Sequence, residues 1–249
     1  MVQPGPVIGL IGQLAVLAVL AATVGLDAVG WLTGAAWGLV TATALARGLA
    51  RTGRTALGAA NRVTLLRATL VGGVTALVAG SFAGREHDAV LVGLAAVALV
   101  LDGVDGRVAR GTGTVSALGA RFDMEVDAFL ILVLSVDVAR SVGPAVLAIG
   151  AARYAIWVAP WAVRWMRRPV PPRYWRKPVA AIQGIVLTAA VADPEPGTAI
   201  LVAIAVAMVL LAESFGRDLV WQWRLRRAPG PGGVESPAAA PATLLGAAP

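Results

Sequence analysis

The feature that most constrains this chain is a succession of apolar runs, at about residues 7–26, 28–46, 63–83, 89–109, 116–140, 144–163, 178–192 and 197–215. A helix needs about 20 such residues to cross about 30 Å of hydrocarbon. There every backbone N–H and C=O must find a partner within the protein, so only helices and closed barrels span a bilayer. Barrel strands alternate apolar and polar residues, and these runs do not. Composition agrees: 58% of the residues are hydrophobic and 14% charged, where a soluble domain carries about 25% charged. The expected fold class is therefore an all-α integral membrane protein with eight spans, the seventh of them short.

Charge sets the expected topology. The net charge is +7, but the basic residues cluster beside apolar spans. That pattern reads as anchoring to anionic lipid headgroups, with no nucleic-acid partner. With both termini cytoplasmic, the outer loops hold only Arg85 and Arg140 of the 21 basic residues, and Arg153 falls within a span. The others lie at or near cytoplasmic helix ends, as the positive-inside rule requires. The location expected is a multi-pass plasma (cell) membrane. No Lys or Arg precedes the first run, so it reads as a transmembrane helix rather than a signal peptide. Residues 1–47 form two N-terminal transmembrane helices, 48–62 a basic cytoplasmic linker and 63–217 a six-helix core. Residues 218–249 form a basic and then Pro/Ala/Gly-rich tail, read as disordered.

The residues present restrict the chemistry. There is no cysteine and one histidine, His87, which excludes disulfides, thiolate metal sites and cysteine nucleophiles. Carboxylates, arginines, lysines and hydroxyls remain. Five of the 14 acidic residues lie between 102 and 127. Asp102 and Asp105 are spaced i, i+3, and Asp123 and Asp127 i, i+4, so each pair shares a helical face. A connection over 111–115 is short enough to make the two helices antiparallel neighbours, with both pairs near the cytoplasmic end. Four bare carboxylates at membrane depth would cost on the order of 10 kcal/mol, and they repel one another. Hard divalent cations with oxygen ligands offset both terms, and two such ions could bridge a pyrophosphate. A structural reading pairs the aspartates with Arg107, Arg110 or Arg121. A cation transporter or channel is a further functional reading.

The stretch LDGVDGRVARGTGTVSALGARFDMEVDAF contains D-x2-D-G-x2-A-R-x8-G-x3-D-x3-D with no departure at any fixed position. It resembles the signature of the CDP-alcohol phosphotransferase family. The six spans from about residue 61 to 215 are similar to that family's core, with the two N-terminal spans outside it. The resemblance implies transfer of a phosphatidyl group from CDP-diacylglycerol, or another CDP-alcohol, to a small alcohol or polyol-phosphate acceptor, with release of CMP. It implies Mg²⁺ or Mn²⁺, two ions, held by Asp102, Asp105, Asp123 and Asp127, with Asp127 also the general base toward the acceptor hydroxyl. Gly106, Ala109, Arg110 and Gly119 would serve the nucleotide end. Small residues leave room for base and ribose, Arg110 is a fork-shaped phosphate donor, and Gly119 lets helices approach closely. Family members often form homodimers, which extends to this chain as an expectation. A catalytically silent membrane-interaction protein is the rival reading; the intact signature argues against it.

Asn61, Thr64 and Arg67 share one helical face and are similar to the family's entry segment, which implies nucleotide binding. Read without the family, Asn61 is a helix cap and Arg67 an interfacial arginine. Arg153, within a span, needs an anionic partner: an acceptor phosphate, or Asp137 in a structural salt bridge. Lys177 and Gln183 resemble two of the four fixed positions of G-K-x2-T-x2-Q in phosphatidylglycerophosphate-synthase-like members, which makes them acceptor-binding candidates. The basic residues from Arg164 to Lys177 otherwise form a solvated loop. His87 falls in an outer turn, and the tryptophans read as interface anchors.

Overall fold

The computed structural model describes residues 4–53, 57–112, 116–163, 166, 175–193 and 195–226; the side chains of 105–110, 112, 176 and 225 lie outside that description. The elements are α1 (Pro4–Thr23), α2 (Ala28–Thr52), α3 (Ala59–Ser81), α4 (Asp88–Thr112), α5 (Ala117–Val142), a 3-10 turn (Pro144–Val146), α6 (Leu147–Ala162), α7 (Arg176–Val191) and α8 (Thr198–Leu225). Each apolar run is matched by one helix, and there is no strand among the described residues. The helices α1, α2, α3, α8 and α6 with its preceding turn are long and apolar enough to cross a membrane. Carboxylates interrupt the apolar character of α4 and α5, and α7 has 16 residues. At 1.5 Å per residue that is about 24 Å, short for a full crossing.

Helix α3 is the axis of the bundle. It packs against α1, α2, α4 and α5, and Ala68, Val71, Val74 and Ala76 along it are buried. Helix α7 bridges α4, α5 and α8, and α6 leans on α5 and α8. Among the described residues α4 and α5 meet each other far less than each meets α3. Helix α3 packs against both α4 and α5, so the two carboxylate-bearing helices meet on it.

The N-terminal pair is joined to the core. Gly30, Gly34 and Gly38 form a buried stripe on α2. A Cβ at Gly34 would press on Leu17 of α1 and on Gly72 O of α3, and one at Gly38 on Gln13. Small residues at a spacing of four let transmembrane helices approach this closely. At the end of the bundle that holds the α1–α2 and α3–α4 turns, Arg85 donates to Gly25 O at 2.8 Å. Ser81 donates to Asp137 at 3.2 Å, and Arg140 bridges Asp137 (3.3 Å) and Glu86 (3.2 Å).

Helix ends refine the charge-based boundaries. Helix α2 runs on to Thr52 and stops at Gly53, whose φ of 64° suits a left-handed cap. With α3 starting at Ala59, much of the basic segment 48–62 is helical. Helix α8 likewise continues past residue 217. The tail from 227 onward lies outside the described residues.

Candidate active site

Three helices bring carboxylates and a guanidinium to one place. Asp102 lies ten residues before the end of α4, and Asp127 ten residues after the start of α5. At 1.5 Å per residue both sit about 15 Å from the same end of the bundle. Ser116 Oγ accepts from Gly119 N at 3.0 Å and fixes the start of α5. Each of Asp102, Asp123 and Asp127 offers one oxygen, and these atoms lie within 4.8 Å of one another.

Arg67, 1% exposed, reaches into the cluster from α3. Its Nη1 lies 3.0 Å from Asp102 Oδ1 and 2.5 Å from Asp123 Oδ1, and its Nη2 pairs with Asp127 Oδ1. A buried guanidinium needs opposite charge beside it, and here the two terminal nitrogens of one side chain serve all three carboxylates. The carboxylates keep between 29% and 39% exposure, so the acids are accessible while the arginine is not.

Three oxygen ligands so close together suit a hard divalent ion, which prefers carboxylates completed by water and phosphate oxygens. The donor set therefore fits Mg²⁺ or Mn²⁺. Asp105, Gly106, Ala109 and Arg110 lie on α4, and their side chains fall outside the described residues.

The supporting residues divide. Asn61, Thr64 and Arg67 are all buried on α3. A Cβ on Gly119 would collide with Asn61 Oδ1. Gly119 thus permits a close approach to α3. Asn61 is inside α3 and does not cap it; Gly58 holds the cap position. Arg153 pairs with Glu125 at 2.9 Å rather than with Asp137, which bonds Ser81 and Arg140. Lys177 is exposed in the first turn of α7. Gln183 is 4% exposed on the helix that packs against both α4 and α5, and its Nε2 has no partner among the described residues. The signature motif left Arg67's part in the cluster unread, because that residue lies 35 positions before Asp102.

Comparison with protein families matches residues 57–212 to the family described as CDP-alcohol phosphatidyltransferase. Neither the curated proteins nor the solved structures yielded a match. The family segment begins just before α3 and ends within α8, covering more than half of the chain and the whole carboxylate cluster. The chain belongs to the CDP-alcohol phosphatidyltransferase family.

Proposed function

We propose, from that membership, that the chain transfers the phosphatidyl group of CDP-diacylglycerol, or the corresponding group of another CDP-alcohol, to a hydroxyl of a small alcohol or polyol phosphate. The observation that carries this reading is the convergence of Asp102, Asp123 and Asp127 on one buried arginine at one end of a membrane bundle.

In this reading Asp102, Asp123 and Asp127, joined by Asp105, hold two divalent ions, Mg²⁺ or Mn²⁺. Bound there, such ions neutralise charge on the pyrophosphate and on the transferring phosphoryl group. Arg67 holds the three carboxylates in register and supplies positive charge beside the phosphates. Asn61, Thr64, Gly106, Ala109, Arg110 and Gly119 form the nucleotide end. Asp127 takes the proton of the acceptor hydroxyl as its oxygen attacks phosphorus. The bond from that phosphorus to the CMP oxygen breaks, and CMP leaves. A general base must stand within hydrogen-bond reach of the proton it removes, and the partial exposure of Asp127 supports that access.

The acceptor lies on the α6 and α7 side, where Arg153 would exchange Glu125 for a phosphate, helped by Lys177 and Gln183. Both termini are cytoplasmic, the site opens toward the cytoplasmic face of the cell membrane, and the protein acts as a homodimer. A cation pathway is less well served, because it would need neither Arg110 nor the small residues of the signature.

The test is product analysis. Protein in detergent is given CDP-diacylglycerol, Mg²⁺ or Mn²⁺ and a panel of alcohols, polyols and polyol phosphates. One acceptor should become covalently phosphatidylated with stoichiometric CMP. Metal-driven ion flux in vesicles, with no CMP from any acceptor, would favour transport instead.

A further inference from the structure

Trp37 belongs to α2, outside the segment that matches the family. Its ring lies on Phe129 of α5 with centroids 3.8 Å apart and planes 4° from parallel. Its Nε1 donates to Ala68 O of α3 at 2.8 Å. Ala68 follows Arg67, and Phe129 lies two residues beyond Asp127. One indole therefore ties α3 to α5 at the level where Arg67 pairs with Asp127. Helix α2 also meets α5 where Gly48 abuts Leu118, nearer the start of α5.

We propose that Trp37 is a positioning residue for the reaction, and that the N-terminal helix pair acts through it as a brace on the Arg67–Asp127 pair. This rests on the transferase reading above. Helices α3 and α5 carry opposite halves of the site, so sliding one past the other moves the base relative to the guanidinium. The indole opposes that motion in two ways. The stacked rings resist separation of α2 from α5, and the N–H bond fixes α2 on the α3 backbone. The pair α1–α2 is held on α3 by its glycine stripe, so the brace has a fixed footing. Trp37 lies nine residues from the start of α2, which is within the span and not where an interfacial tryptophan anchor sits.

The test compares Trp37→Ala and Trp37→Phe with Leu17→Ala in the full-length protein. Leu17 is fully buried against Gly34 and touches neither partner of Trp37, so its truncation costs packing while both Trp37 contacts stay in place. Trp37→Ala should lower kcat by about tenfold or more with KM for the CDP-linked donor nearly unchanged, since misplacement of about 1 Å can cost 10²-fold. Trp37→Phe, which keeps the stack and loses the donor, should recover part of that loss. Leu17→Ala should lower the thermal midpoint while kcat stays within about twofold. Mn²⁺ binding, followed by electron paramagnetic resonance without turnover, should weaken about tenfold in Trp37→Ala, the low end for losing a ligand-orienting partner.

Equal kcat losses in Leu17→Ala and Trp37→Ala would reduce the contact to general packing and overturn the proposal. So would unchanged Mn²⁺ affinity in Trp37→Ala. Failure of the wild-type protein to release CMP with any acceptor would instead sink the transferase reading, and the Mn²⁺ measurement would still decide the brace.

Discussion

Arg67 of α3 pairs with Asp127 of α5 in the interior of the bundle, and the same guanidinium reaches Asp102 on α4 and Asp123 on α5. Helices α4 and α5 are thus joined through a third, α3, on which both pack. The site and the packing depend on one another at this point, and the expected behaviour of variants follows from that dependence.

Replacing Arg67 removes the shared partner of three acids. Truncating one member of a buried ion pair costs about 3–5 kcal/mol, because the remaining charges stay buried and uncompensated. These acids are partly exposed, so the expected loss for Arg67→Ala lies toward the lower end. Added Mn²⁺ should restore more thermal stability to the variant than to the wild type, since the ion replaces the missing positive charge. Thermal melts in detergent, with and without Mn²⁺, check this. CMP release should fall at least about 100-fold, as when a preorganised charge is deleted from a site.

Gly119→Ala should be damaging although it adds one methyl group, because that methyl meets Asn61 Oδ1. Overpacking of this kind costs about 1–3 kcal/mol. Adding Asn61→Ala should return most of the stability and little of the activity, since it removes the obstruction along with a nucleotide-binding group. A double-mutant cycle on the thermal midpoint and on donor KM separates the two effects.

The Arg153–Glu125 pair is open to its surroundings, with 39% and 55% of the two side chains exposed. Such a pair contributes under about 1 kcal/mol. Arg153→Ala should accordingly leave the melting temperature nearly unchanged while raising KM for a phosphorylated acceptor. Glu125→Gln, which releases the arginine, should lower that KM or leave it unchanged. Steady-state kinetics against acceptor concentration decide the matter.

Asp137 is the control at the far end. It lies ten residues beyond Asp127 on α5, about 15 Å along the helix, and is bonded to Ser81 and Arg140. Hydrogen bonds involving a charged group contribute about 1.5–3 kcal/mol. Asp137→Ala should lower the thermal midpoint and leave KM for donor and acceptor as they were.

The apolar runs located every helix, because span length and hydropathy are local properties of the chain. The clustering of Asp102, Asp123 and Asp127 was legible too, since their spacing and their cost in a membrane single them out together. What spacing could not supply was the order of packing. Asp102 and Asp123 converge with Asp127 on Arg67 of α3, a residue far upstream of the motif. The partner of Arg153 was open for the same reason, as several acids lie within reach of a span arginine. Trp37 was grouped with interface anchors by residue type alone. Its position within the span, one residue before Gly38 of the stripe Gly30, Gly34 and Gly38, was the available signal that α2 docks inward at that level.

The most direct test of the account is metal-dependent CMP release from CDP-diacylglycerol by wild-type protein and by Asp127→Asn, with Mn²⁺ binding measured on both. The account predicts acceptor-stimulated release by the wild type only. The variant should stay folded, bind Mn²⁺ more weakly and release CMP at least about 1,000-fold more slowly, the combined effect of losing a general base and a metal ligand. Release by Asp127→Asn at a rate near that of the wild type would contradict the assignment of this aspartate and of the site built around it.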